Sequence, residues 1–342
     1  MWTKVILAIG GAYVAAAGIW LLLGGIVRPT DEGTQLLNVS YDPTRELWRD
    51  LNEQFVASYE AEHGVRLAIK QSHGGSASQA RAVIDGLDAD VVTLALWSDT
   101  DAIRKKGLID ANWENRLPNH SLPYYSTIVF VVRKGNPKDI RDWRDLARPG
   151  VSVVTPNPKT SGNGKLSFLA AWGSVRHRGG SEQDAQAFVT QLCRQVPVLD
   201  SGARGSTTTF AQKGIGDVHL TWENEARLEA QEAKGDLEIV YPTASIRAEP
   251  HVAVVDANVR RKGTRAAAEA YLKFLYTDEA QEVIAHHYYR PINEQVRTRH
   301  ADALPAVDLF PITAVAKDWD DAQQRFFADG GVFDAIYTTA AP

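Results

Sequence analysis

From Gln35 to Asp256, short apolar runs alternate with longer amphipathic ones. The stretches "QLLNVSY" (35–41), "VRLAIK" (65–70), "ADVVTLAL" (89–96), "STIVFVVR" (126–133), "GVSVVTPNP" (150–158), "VPVLD" (196–200), "GDVHLTW" (216–222), "LEIVYP" (237–242) and "EPHVAVVD" (249–256) each predict a strand. Between them lie helical patterns. In "DPTRELWRDLNEQFVASYEAEHG" (42–64), Leu47, Leu51, Phe55 and Tyr59 form one apolar stripe, Asp42 stands at the N-cap with Pro43 after it, and Gly64 closes the helix. "SASQARAVIDGL", "GSTTTFAQKG" and "ENEARLEAQEAKG" predict further helices, and the last hundred residues read as mostly helical. Strand followed by helix, repeated, implies parallel sheets with helices on both faces. Roughly 300 residues is large for one such sheet, so two α/β lobes are expected.

Composition narrows the function. With 37 basic against 42 acidic residues the net charge is -5, so no general basic field recruits nucleic acid, and any anion site must be local. The single cysteine, Cys193, excludes an intramolecular disulfide and reads as a small buried helix residue. Residues 5–27 carry no charge. As a helix rising about 1.5 Å per residue they span roughly 35 Å, enough to cross a bilayer. Ala15 to Ala17 offer a signal-cleavage site, but Ile19 to Leu23 continue the apolar run past it, which favours an uncleaved anchor. Both readings place the body outside the cytoplasm, with Lys4 inside.

Four loops that follow strands and open helices share a composition: "SYDPT" (40–44), "SHGGSAS" (72–78), "TSGNG" (160–164) and "DSGARGST" (200–207). Helix N-termini carry unpaired amides and the positive end of the dipole, and glycine lets a ligand approach the backbone closely. The stretch "NPKTSGNGKLSFLAAWG" (157–173) looks half like a phosphate-binding loop, yet Lys159 stands where the first glycine belongs and Leu166 follows Lys165 in place of Ser or Thr. A helix start with free amides and the Ser161 hydroxyl remains, which suits a small anion. No nucleophile elbow and no histidine pair at metal-site spacing is present. His286 and His287 read as structural, and Asp99/Asp101 and Asp320/Asp321 as solvated faces.

"LLNVSYDPTREL", "QSHGGSASQA", "ADVVTLAL", "STIVFVVRKGNP", "TPNPKTSGNGKLSFLAAWG", "DSGARGST", "GIGDVHLTWENEA", "YYRPIN" and "FFADGGVFDAI" together resemble the periplasmic sulfate-binding proteins, the substrate-binding components of sulfate/thiosulfate ABC transporters. The resemblance covers about residues 35–335. It implies a two-lobed α/β periplasmic-binding fold with two chain crossovers (type II) and a C-terminal helical tail, preceded here by the N-terminal apolar helix read from residues 5–27. The expected parts are a signal or anchor with linker at 1–33, lobe 1 at 34–124 with 249–300, lobe 2 at 125–248, and the tail at 301–342. The ligand groups implied for one dehydrated sulfate are the amide of Ser76, the hydroxyl of Ser161, the amides of Gly162 and Asn163, the amide of Ala203 and the indole N–H of Trp222. Asp42 is either a plain cap or a group that orients a loop or Arg204, which flanks the site. Trp222 read alone is core or ligand; the "LTWENEA" match favours ligand. Two departures stand out. Asn163 replaces a glycine, tolerable if its φ suits, and the N-terminus differs from a removable signal.

A donor-only site has a chemical consequence. Amides and indoles cannot accept, so the proton of hydrogen phosphate would be buried unpaired, while sulfate carries none. The resemblance therefore implies a non-enzymatic monomer without cofactor or metal, whose partners are sulfate or a related oxyanion and the permease of an ABC importer, and which meets the membrane only through its N-terminus. A receptor for thiosulfate, molybdate or tungstate, and a membrane-tethered anion sensor, stay open.

Overall fold

The computed structural model describes residues 33–340. The apolar segment 5–27, and the choice between signal and anchor, lies outside them. Two sheet-centred lobes account for most of the described chain. In the first, β1 (Thr34–Tyr41), α1 (Arg45–His63), β2 (Leu67–Gly74), α2 (Ser76–Ile84), β3 (Val91–Thr93) and α3 (Trp97–Lys105) follow in order. The chain crosses at β4 (Tyr124–Tyr125) into β5 (Ile128–Arg133), β6 (Val153–Pro156), α4 (Gly162–Arg176), α5 (Glu182–Cys193), β7 (Leu199–Asp200), α6 (Ala203–Thr207), β8 (Val218–Trp222), α7 (Glu223–Glu232), β9 (Leu237–Val240) and β10 (Ala244–Ile246). It returns through β11 (Val252–Val254), α8 (Asp256–Lys262), α9 (Arg265–Phe274), α10 (Asp278–His286) and β12 (Arg290–Pro291). After α11 (Glu294–Arg299), the tail holds β13 (Asp308–Phe310) and α12 (Val332–Ala340).

The first sheet has the order β11-β3-β1-β2 and the second β7-β6-β8-β5-β9. Parallel pairing was expected throughout, but β11 runs antiparallel to β3, and β5 antiparallel to β8 and β9. These are the strands by which the chain enters each sheet after a crossing, so they arrive from the opposite end. The "RAAAEAYLKFLYTDEAQEVIAHH" run is two helices, because the Thr277 hydroxyl accepts from Ala280 N and starts a new one. The strand β13 was not foreseen in a region read as helical; it pairs with β10.

Alternation sorts the core, since successive strand residues point to opposite faces. Leu36, Val91, Val252 and Val254 pack on one side of the first sheet with Trp48 and Tyr271, while Val39, Val92 and Ala253 pack on the other with Val83 and Trp113. In the second sheet Phe130, Val153, Leu220 and Trp222 face α4, and Val131, Val154 and Phe210 the opposite side. The tail closes the α4 side: Phe326 and Phe327 pack on Phe168, and Lys159 Nζ reaches Asp334 at 2.8 Å. Cys193 ends α5 half-buried, and burial pushes its thiol up to about 12.

Candidate functional site

The four loops singled out above meet where the lobes touch. Gly75 caps α2, Ser161 caps α4 and Gly202 caps α6, so the first amides of these helices are those of Ser76, Gly162 and Ala203. Proximity is set by the glycines. A Cβ on Gly75 would lie 2.4 Å from Thr160 O, and one on Gly202 would lie 2.6 Å from Asp42 Oδ2. A Cβ on Gly162 would lie 2.5 Å from that of Ala95 and 3.2 Å from that of Ser76. Thr160 Oγ1 donates to Ser201 O at 2.8 Å, joining two of the loops.

First-turn amides have no partner within their own helix. Among the described residues, no turn or loop hydrogen bond uses the amides of Ser76, Gly162, Asn163 or Ala203. Ser161 Oγ accepts a long bond from Gly164 N at 3.4 Å, which leaves its O–H to donate elsewhere. Trp222, the last residue of β8, is fully buried against Tyr41 with ring centroids 5.2 Å apart, and its Nε1 has no partner. An indole N–H buried without an acceptor is costly. Ser76, Ser161, Gly162, Asn163, Ala203 and Trp222, where the sequence leads one to expect donors, are all buried, and the loops carrying Ser76, Gly162 and Ala203 touch.

Asn163 needs no unusual backbone. It lies in the first turn of α4 without positive φ, and its Nδ2 donates to Leu220 O at 3.2 Å. The carboxamide thus turns toward β8 and leaves the amide free.

Two expectations need correction. Asp42 is not an N-cap: Tyr41 holds that position before a short turn Asp42–Thr44, and no side chain caps it. Asp42 pairs with Arg45 at 2.7 Å rather than with Arg204. Arg204 reaches across the lobes to Glu46 at 3.0 Å and, within its own lobe, to Glu225 at 3.2 Å. Burial raises Glu225 to about 8, with Arg204 opposing the rise. Secondly, Asp99 and Asp101 are buried, not solvated. Asp99 Oδ2 accepts from Ser76 Oγ at 2.6 Å, and its Oδ1 accepts from Lys165 Nζ at 2.9 Å. Sequence reasoning weighed Lys165 only as a phosphate-loop lysine; nothing local marks it as the partner of a residue 66 positions away. Asp320 is the solvated group expected, pairing with Lys105. His287 binds Asp50 at 2.8 Å and joins α10 to α1, the structural role foreseen. Among the described residues no group of His, Cys, Asp and Glu has the arrangement of a metal site, and no helix is long and apolar enough to cross a membrane.

Such an arrangement can suit a small anion without a cation in contact with it, because three helix starts, a hydroxyl and an indole offer donors without a partner. Residues 48–290 match the model of the bacterial extracellular solute-binding proteins. The sulfate-binding protein of Salmonella typhimurium is 56% identical over 304 residues, covering 88% of this chain and 92% of that protein. The thiosulfate-binding protein of Pseudomonas aeruginosa is 50% identical over 329 residues, covering 96% and 98%. Among solved structures, the sulfate-binding protein SubI from Mycobacterium tuberculosis superposes with a TM-score of 0.79 at 32% identity, covering 86% of this chain and 99% of that one.

Proposed function

This chain belongs to the bacterial extracellular solute-binding protein family, and from that premise we propose that it is an extracytoplasmic receptor for one dehydrated sulfate, handed on to the permease of an ABC importer. Thiosulfate is the alternative ligand, since relatives bearing both names are similar over nearly the whole chain. The lobes close at the boundaries read from the sequence, with Ser76 on one side and Ser161, Gly162, Asn163, Ala203 and Trp222 on the other. The family binds solutes, and no catalytic step is proposed. The protein acts as a monomer.

One observation carries this reading: Trp222 Nε1 is a buried donor without a partner, in a structure where the helix starts at Ser76 and Gly162, from the two lobes, lie against each other. Sulfate is a dianion and its burial is unfavourable unless its oxygens are well bonded. Charge-assisted bonds contribute about 1.5–3 kcal/mol each, and several of them reach sub-micromolar affinity after association costs. Arg204, held by Glu46 and Glu225, balances charge near Ala203 without serving as a ligand. The test is a sulfate titration of Trp222→Phe beside the wild type. Loss of one donor weakens binding by about 1–3 kcal/mol; unchanged affinity would take Trp222 out of the site.

A further inference from the structure

Asp99 sits in the first turn of α3, and Lys165 in the first turn of α4, on opposite lobes. Their side chains are 6% and 5% exposed and meet at 2.9 Å. The same carboxylate accepts from Ser76 Oγ, which in turn accepts from Ala95 N at 3.1 Å. Ser76 opens the helix whose amide faces the proposed anion. A continuous chain therefore runs from an anion-binding helix start, through Asp99, to the helix start of the other lobe.

Ser76, Ser161 and Trp222 are 1%, 2% and 0% exposed, so no ion reaches their donors while the lobes touch. The lobes must part to admit one, and parting separates Asp99 from Lys165. Building on the oxyanion reading, we propose that Lys165 and Asp99 are positioning residues that form a latch across the cleft, made on closure and broken on opening. The latch sets how long the anion is held. Its charge balance matters as much as its geometry. Asp99 alone places a buried carboxylate beside a dianion; Lys165 neutralises it in the closed state only. Leaving one member of a buried pair unpaired is far worse than removing both.

The order of effects follows. Lys165→Met leaves the carboxylate facing the anion. Asp99→Asn leaves an ammonium near an anion, a smaller defect, and its amide oxygen still accepts from Ser76. The double variant removes both charges. The experiment is stopped-flow tryptophan fluorescence on the full chain, with sulfate association, sulfate dissociation and ligand-free melting temperature measured for all four proteins. K165M is expected to speed dissociation about tenfold or more with association little changed, D99N to do so less, and the double variant to recover most of the loss. Ligand-free melting temperatures should stay level, because the open protein has no pair to lose, whereas a merely structural pair would lower them. A wild-type dissociation rate in K165M, or a double variant as weak as the product of the singles, overturns the latch while wild-type sulfate binding stands. A wild type that binds neither sulfate nor thiosulfate overturns the receptor reading, and the anion gating with it.

Discussion

Gly162 and Ala95 lie on opposite lobes, so close that a Cβ added to Gly162 would fall 2.5 Å from that of Ala95. Cβ atoms do not approach so closely, so a methyl there holds the lobes apart. Gly162→Ala is expected to weaken sulfate binding at least about tenfold, since donors from the two lobes no longer reach one anion. The ligand-free melting temperature should change little. Normal affinity in this variant would show that the two lobes do not close on the ligand as described.

In the proposed site Ser161 offers one hydroxyl to the anion, and it caps α4 only weakly, through a 3.4 Å bond from Gly164 N. Ser161→Ala is expected to reduce sulfate affinity by about 1–3 kcal/mol, while the cap contributes at the low end of its usual ~0.5–2 kcal/mol to stability. Calorimetry and thermal melting separate the two. A large loss of stability with unchanged affinity would make Ser161 a cap and nothing more.

Glu225 is buried behind Arg204 with its pKa raised to about 8. A raised carboxyl favours the folded state fully below its unfolded value, and that contribution is lost as pH climbs toward the folded one. Between about pH 4.5 and 8 this group therefore erodes stability. Glu225→Gln is expected to flatten the fall of melting temperature between mildly acidic and mildly alkaline buffer. Parallel curves for variant and wild type would remove Glu225 as the source.

Much of the framework of the proposed site was legible before folding. Glycine- and serine-rich loops at helix starts are local signals, and "SHGGSAS", "TSGNG" and "DSGARGST" deliver Ser76, Ser161 and Ala203 where a local rule places them. Trp222 was ambiguous alone, because an indole in a strand packs as well as it binds. Long-range pairings were hidden. Asp99 read as solvated because its partner, Lys165, comes from the other lobe, and the partners of Arg204 come from α1 and α7. The antiparallel strands β5 and β11 were missed for the same reason: direction within a sheet depends on where the chain re-enters, not on the strand's own pattern.

Asn163 tests how far side chains at the site matter. Its Nδ2 bonds Leu220 O where β6 leaves β8 for β7, so it ties α4 to the strand that ends at Trp222. Asn163→Ala leaves that carbonyl unpaired and is expected to lower the melting temperature by a few degrees, equivalent to about 1 kcal/mol. An unchanged melting curve would mean the tie is replaceable by water.

The most direct measurement is a calorimetric titration in sulfate-free chloride buffer with sulfate, thiosulfate, molybdate and phosphate in turn. A site built as proposed, of amide and indole donors with a Ser161 hydroxyl that already accepts from Gly164 N, should bind one sulfate per chain, at micromolar affinity or tighter, and phosphate far more weakly. Phosphate binding as tight as sulfate, or no heat with any oxyanion, would contradict it.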